Sequence, residues 1–450
     1  MVLHVCFRYL ARSPRLFLPT STRSRSVVFQ EEKYPVFRQQ RYLSSSLRKM
    51  TDSKKLACEA IERENSALRA LSLDIWDHPE LCFNEKHAHA AVTDFLEQRG
   101  FQVERHFKLD TAFRATASSK DTDADTPTIG VMCEYDALPG IGHACGHNLI
   151  AIMGVSIALG IKEALEQGGV KGKLVVLGCP AEEGGGGKID LINAGAYDDM
   201  DCAIMGHPSQ FNLSRPVYVG MCPMSITYKG KASHASSFPW DGVNALDAAV
   251  LCYQNVSCMR QHMRPTWRVH GVITHGGEKP NIIPQRSELL YYTRAPTVEE
   301  LEELKSKVKD CVEGAAKATG CSVEYKFGAN AYAPLLSNDI LATLYEKNGQ
   351  NLGIEFENDP TRLSKQGGST DMGNVSQILP SIHPKYSINT MVAAHTTDFR
   401  DKARTEESHD LTLIHSKAMA LAAIDVCNDP PLVAQMQAEL KQRQHPSARR

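Results

Sequence analysis

A chain of 450 residues, 42 % apolar and 23 % charged, is long enough for two or three domains and a large buried core, which excludes a disordered or fibrous polypeptide. The formal net charge of −2 gives no case for a nucleic-acid partner, and the 13 cysteines, odd in number and without C-x-x-C pairs, exclude a regular disulfide framework. The longest apolar run, LIAIMGVSIALGI, has 13 residues, too few to cross a bilayer, so no membrane partner is expected either.

Residues 1–50 hold ten Lys or Arg and two acids, leaving 40 basic and 50 acidic residues in the remainder. This segment is Arg-rich, Ser-rich and acid-poor with Phe and Leu interleaved, the composition of a mitochondrial transit peptide. QRYLSSSL at its end reads as a processing site, with Arg41 just upstream of the Ser run. The expected destination is the mitochondrial matrix if the leader is used. Met50, before TDSKKLACEAI, offers a cytosolic form as the alternative.

From residue 55 helices and apolar strands alternate. ACEAIERENSALRALSLDIWDHPEL has helical spacing and ends at Pro79; AHAAVTDFLEQRG is a second helix, closed by Gly100. Three short apolar runs follow: TIGVMCEYD leads to Asp136, KLVVLGCPAEEG to Glu182 and Glu183, and CAIMGHPS to His207. Continuous apolar runs separated by helices predict parallel strands buried on both faces, an α/β doubly wound sheet. Ligands of such sheets sit beyond the carboxyl ends of the strands, where each run delivers its polar residues.

Near residue 220 the pattern changes. MSITYKGKASHASS, WRVHGVITHGG and RSELLYYTRAP read as strands, and NALDAAVLCYQNVSCMRQH as a helix. TVEELEELKSKVKDCVEGAAKATG is an amphipathic helix closed by Gly320. This predicts an α+β domain inserted at 222–328. The catalytic domain is then split into 55–221 and 333–430, with 431–450 as a C-terminal tail.

The chemistry concentrates in EYDALPGIGHACGHNLIA. Cys145 and His147 precede an apolar helix starting near Leu149, and thiolate with neutral imidazole is a donor set for zinc or another first-row divalent ion. A helix N-terminus also favours the thiolate. Glu182 and Glu183 are adjacent acids at a strand end; on an extended segment they point opposite ways, one toward a metal and the other toward a substrate water. The following EEGGGGKID is not a phosphate loop. A P-loop needs Gly where Glu182 stands and Ser or Thr where Ile189 stands, and two carboxylates repel phosphate.

Together with LGCPAEEGGGGKIDLI, IMGHPSQ, KGKASHASSFPWDGVNALDAAV, PTWRVHGVI, KPNIIP and GGSTDMGNVS, that stretch resembles the amidohydrolase branch of the aminoacylase/carboxypeptidase-type dinuclear metallopeptidases, over about residues 55–430. The resemblance implies a zinc-peptidase-like domain interrupted by a ferredoxin-like dimerisation domain, with a homodimer formed through 222–328. It implies a metal-dependent dipeptidase for small dipeptides with a basic C-terminal residue, of the β-alanyl-lysine, β-alanyl-ornithine or γ-aminobutyryl-lysine type. The implied metal ligands are Cys145, His147, Glu183, His207 and His395. Glu182 is the implied general base, Asp136 the acid that orients a ligand imidazole, and His234 a group that enters the site of the partner subunit. Arg294 and Asn281 are candidates for the substrate carboxylate, and His143 is expected to be a buried structural histidine. Where relatives read H-A-C-G-H-D this chain has Asn148, which leaves open one or two ions per subunit and zinc or manganese. An N-acyl amino acid amidohydrolase and an inactive binding relative are the competing readings.

Overall fold

Three strands buried along nearly their whole length organise the larger domain, and alternate residues of each feed two separate cores. The computed structural model describes residues 50–444, so the leader, Met50 apart, lies outside the described residues. Helices α1 (Asp52–Arg63), α2 (Asn65–Asp77) and α3 (Lys86–Glu97) come first, followed by β1 (Gln102–Arg105), β2 (Phe113–Ser118) and β3 (Thr128–Glu134). The single long helix expected up to Pro79 is two helices, because Glu64 leaves helical geometry at φ −94°, ψ 3°. Next are α4 (His147–Glu166), β4 (Lys173–Cys179), α5 (Gly187–Asn193), β5 (Cys202–Ile204) and β6 (His207–Ser209).

The inserted unit runs β7 (Gly220–Lys229), α6 (Ala245–Met259), β8 (Arg268–His275), β9 (Arg286–Ala295), α7 (Val298–Thr319) and β10 (Ser322–Phe327). The chain closes with α8 (Asp339–Asn351), α9 (Pro360–Leu363), α10 (Met372–Ile378), β11 (Ser381–Ile382), β12 (Lys385–Ser387), α11 (Thr397–Ala403), α12 (Glu406–Asn428) and α13 (Pro431–Gln444).

The main sheet has the order β1-β2-β4-β3-β5-β11; β4, β3, β5 and β11 are mutually parallel, while β1 and β2 pair antiparallel at one edge. Ile129, Val131, Cys133, Leu174 and Val176 enter the core under α1, α4 and α12. Met132, Val175, Leu177 and Cys179 enter the opposite core with Leu191, Met372 and Val375. Period-two alternation with both faces covered explains the uninterrupted apolar runs. Among the described residues α4 is long and apolar enough to cross a bilayer, but 89 % of that stretch is buried inside the protein, so it is a core helix.

The inserted unit is an antiparallel sheet in the order β10-β7-β9-β8 backed by α6 and α7, with its own core around Met224, Ile226, Leu289, Leu304 and Val308. It joins the larger domain by two crossings that are themselves paired: the Met221 and Tyr332 N–H groups each donate to the other's carbonyl at 2.8 Å. The residues expected as a tail after 430 form α13 instead. Met436 is fully buried, and Glu439 accepts the Asp339 N–H at 2.6 Å, capping α8. His207 and Lys385 face each other in register on the short β6–β12 ribbon, apart from the main sheet.

Candidate metal centre

The carboxyl ends of β3, β4 and β5 converge, and the turns that follow them carry the chemistry. β3 runs through Glu134 into Asp136; β5 leads within three residues to His207. Cys145 and His147 sit at the start of α4, which begins at His147, two residues before the expected Leu149. The residue before it, Gly146, has φ 81°, and a Cβ there would lie 2.7 Å from Pro208 Cγ, so only glycine lets the helix start against the β6 segment.

Five donors meet there. Cys145 Sγ lies 3.4 Å from His207 Nε2. His147 Nε2 is 3.8 Å from Glu183 Oε1, which is 3.5 Å from His395 Nε2. Cys145, His147 and His207 form one group whose donor atoms all lie within 4.8 Å of one another, and Cys145, Glu183 and His395 form another. His395 and Ala181 are non-glycine residues in the left-handed region, at φ 67° and 60°. Backbone strain of this kind costs about 1–3 kcal/mol and persists only where the surroundings impose it. The N–H of His395 is held by the Ala144 carbonyl at 2.8 Å, beside Cys145.

Both carboxylates of the glutamate pair face the same side, contrary to the divergence expected of an extended segment. Residues 182–185 are a turn, and Glu182 Oε2 stands 3.9 Å from His147 Nε2, much as Glu183 does. Asp136 ties the centre together: Oδ1 accepts from His147 Nδ1 at 2.9 Å, and Oδ2 accepts the Glu183 N–H at 2.9 Å. That bond fixes the imidazole tautomer and turns its Nε2 lone pair inward. His207 is oriented likewise by its Nδ1–Pro208 carbonyl bond of 2.7 Å.

The charges are strongly biased. Burial and the neighbouring Glu134 and Glu183 carboxylates raise Glu182 well above the usual carboxylate range. Burial pushes Glu183 the same way, but the neighbouring His395 and His147 rings outweigh that and lower it. Burial works against protonation of His147, yet Asp136 holds it well above the ordinary imidazole value. Burial, with His147 and Lys385 nearby, pushes His207 down to about 3.

His147 Nε2, Glu134 Oε2 and Glu183 Oε1 are buried without any hydrogen-bond partner among the described residues. Orphaned buried atoms of this kind are rare and expensive, about 1–3 kcal/mol each. A cation among them satisfies all at once, and a thiol, three imidazoles and carboxylates suit a borderline-soft divalent ion. The residues fit a metal.

Several neighbours escaped the sequence reading. Lys188, fully buried, donates from Nζ to Glu134 and, at 2.6 Å, to Asp371 Oδ1, while its N–H donates to Asp371 Oδ2 at 3.0 Å. The other Glu134 oxygen faces His147 Nε2 at 3.7 Å. His383 packs edge-on to His207 at 5.7 Å, and Lys385 Nζ lies 4.7 Å over the Tyr218 ring. Lys188 closes the glycine run that is not a phosphate loop, and Asp371 carries no role in GGSTDMGNVS.

Other expected residues lie elsewhere. His234 is exposed on the inserted domain and accepts the Ser236 and Ser237 N–H groups at Nδ1, making no contact with the centre in its own chain. Asn281 is exposed beside it, its carbonyl accepting the Ala235 N–H at 3.1 Å. Arg294 bonds to Ser369 Oγ at 2.8 Å and His270 Nε2 at 3.2 Å, across the junction of the two domains. His143 is 1 % exposed, and burial pushes it down to about 4. Asn148 points away from the centre, its amide donating to Ser72 Oγ at 3.0 Å and to the Ala403 carbonyl.

The chain is similar to known proteins in sequence and in fold. Residues 219–320 match the peptidase dimerisation domain family. The chain is 47 % identical to the Xaa-Arg dipeptidase of Homo sapiens, over 86 % of this chain and 91 % of that one. It is 46 % identical to the Xaa-Arg dipeptidase of Mus musculus, over 88 % and 94 %. A dinuclear metal binding peptidase of the M20 family from Bacillus subtilis superposes with a TM-score of 0.64 at 18 % identity, covering 82 % of this chain and 99 % of that one.

Proposed function

The chain belongs to the Xaa-Arg dipeptidase family and is a peptide-bond hydrolase, and from that premise we propose that it cleaves small dipeptides whose C-terminal residue is basic. The β-alanyl-lysine, β-alanyl-ornithine, γ-aminobutyryl-lysine and Xaa-Arg types are the expected substrates. The observation that carries this reading is Glu182, whose side chain has no hydrogen-bond partner among the described residues, standing 3.9 Å from a ring nitrogen of the donor cluster.

One or two divalent ions, zinc or manganese, held by Cys145, His147, Glu183, His207 and His395, would polarise the substrate carbonyl and make water acidic enough to react near neutral pH. Glu182 takes the proton from the attacking water and returns it to the departing amine. Asp136 keeps His147 in the tautomer that presents Nε2. In a homodimer formed through residues 222–328, the partner subunit's His234 would donate a hydrogen bond to the developing oxyanion. The Arg- and Ser-rich leader supports import into the mitochondrial matrix, with a start at Met50 giving a cytosolic form.

A substrate panel tests the reading. The wild type is expected to release free lysine or arginine from β-alanyl-lysine and Xaa-Arg dipeptides, and to lose that activity to a chelator. Glu182→Gln should lower kcat by roughly 100- to 10,000-fold, the usual contribution of a positioned acid–base group. Preference for acetyl-lysine or indolyl-acyl amino acids would instead favour the N-acyl amino acid amidohydrolase. Binding without turnover would favour the inactive relative.

A further inference from the structure

Glu85 is a fully buried acid outside the donor cluster. It stands immediately before α3, where a carboxylate is ordinarily drawn to the free N–H groups of the first helical turn. It caps none of them. Glu80 does so in its place, accepting the His87 N–H at 2.8 Å and the Ala88 N–H at 3.1 Å. Glu85 turns into the interior instead. Its Oε1 accepts the Phe83 N–H at 2.8 Å and the Ala181 N–H at 2.9 Å, and its Oε2 accepts the Thr111 hydroxyl at 2.7 Å.

Phe83 and Ala181 share one property: both are non-glycine residues in the left-handed region, each at φ 60°. Such backbone persists only where the surroundings impose it, and here a single carboxylate oxygen holds both. Ala181 opens the turn that carries the glutamate pair, its carbonyl accepting the Gly185 and Gly186 N–H groups at 3.0 and 2.8 Å. The Phe83 ring lies against the same turn, since a Cβ built on Gly185 would come within 2.4 Å of it. Three anchors thus hold three consecutive residues. Glu85 takes the Ala181 N–H, the Tyr332 hydroxyl donates to the Glu182 carbonyl, and Asp136 takes the Glu183 N–H. Glu183 has an anchor of its own, whereas the direction of Glu182 depends on how the turn begins.

We propose that Glu85 is a positioning residue for the general base: by holding Ala181 in the left-handed region it aims the Glu182 carboxylate at the reacting water. The inference rests on Glu182 as the general base, but not on which amide is cleaved. Removing the Glu85 carboxylate strands two N–H groups and a hydroxyl, and it lets Ala181 relax to ordinary backbone. A displacement of about 1 Å at a catalytic group costs on the order of 100-fold in rate.

The test is a double-variant cycle of Glu85→Ala with Glu182→Gln, run on whichever substrate the wild type turns over. Glu85→Ala is expected to lower kcat about 10- to 100-fold. KM and metal content should change little, because the bond from Glu183 to Asp136 remains. In the Glu182→Gln background the same substitution should cost less than about twofold, since no base is left to aim. Glu85→Gln keeps an acceptor of the same shape and should recover most of the loss. Ala181→Gly adopts the left-handed region without strain and should recover part of it. An unchanged kcat, equal losses in both backgrounds, or metal lost from Glu85→Ala would overturn the proposal. If Glu85→Ala does not fold, Glu85→Asp, too short to span Ala181 and Thr111 together, takes its place in the cycle; failure of both to fold would make Glu85 structural and overturn it too. Full kcat in Glu182→Gln alone would overturn the general base itself, a failure seen without any change at Glu85.

Discussion

Lys188 carries its charge where water does not reach, and Glu134 and Asp371 make that burial tolerable. Burial works against its charged form, yet the two acids keep it protonated, well above the ordinary lysine value. Removing one member of a buried charge cluster strands the others, at about 3–5 kcal/mol. Lys188→Met should therefore lower unfolding stability by about that much in urea titrations at pH 7, and a Glu134→Gln, Lys188→Met, Asp371→Asn triple variant should recover most of it. Asp136 acts differently, by holding a ring. Asp136→Asn removes the acceptor charge behind His147, and metal affinity measured by chelator competition should drop about 10- to 100-fold. Cys145, His147 and the glutamate pair were legible because such groups are out of place at the ends of apolar runs. Lys188, Asp371 and Glu85 were not, because each derives its meaning from a partner far away in sequence, such as Asp371 for Lys188 and Ala181 for Glu85.

At the scale of elements, α12 is nearly all buried, and it carries His415 into the core, where the Tyr345 hydroxyl donates to its Nδ1 at 2.7 Å. Burial pushes this histidine down to about 3, whereas the unfolded chain titrates near the ordinary value. Between those values the unfolded state binds the extra proton. The contribution is therefore fully present above about pH 6.5 and is lost as pH falls toward 3. By pH 4 the loss amounts to roughly 3 kcal/mol. In chemical denaturation from pH 7 to pH 4, His415→Leu should show a shallower decline than the wild type, whatever its absolute stability. The strands of the main sheet were legible as apolar runs because both faces are covered. The break at Glu64 was hidden because the apolar spacing continues across it, and the 182–185 turn because its shape depends on the left-handed Ala181.

For the molecule as a whole, the inserted domain presents an open edge. Val272 and Ile273 on the edge strand β8 are 58 % and 39 % exposed, and Val250 and Tyr253 on α6 are also open. An unpaired, apolar strand edge is a template for pairing with a second copy. In the proposed homodimer, Val272→Glu should shift sedimentation from dimer to monomer and, if His234 acts across subunits, lower turnover with it. Mixing the inactive His234→Ala and Glu182→Gln variants should restore partial activity, because mixed dimers contain one site with both groups intact. Recovery absent after subunit exchange would confine each centre to its own chain. The insertion was legible in the change from α/β to α+β patterning near residue 220, whereas the pairing of its two crossings was not, since it joins residues 111 positions apart.

That pairing makes the larger domain separable. Because Met221 and Tyr332 already close on each other, a tight loop could replace everything between them without opening a gap in the remaining chain. The excised version is expected to melt cooperatively and still take up metal, yet hydrolyse nothing. Heat-capacity scans with and without added zinc would read that directly; a collapsed melt would mean the smaller domain holds the larger one in shape.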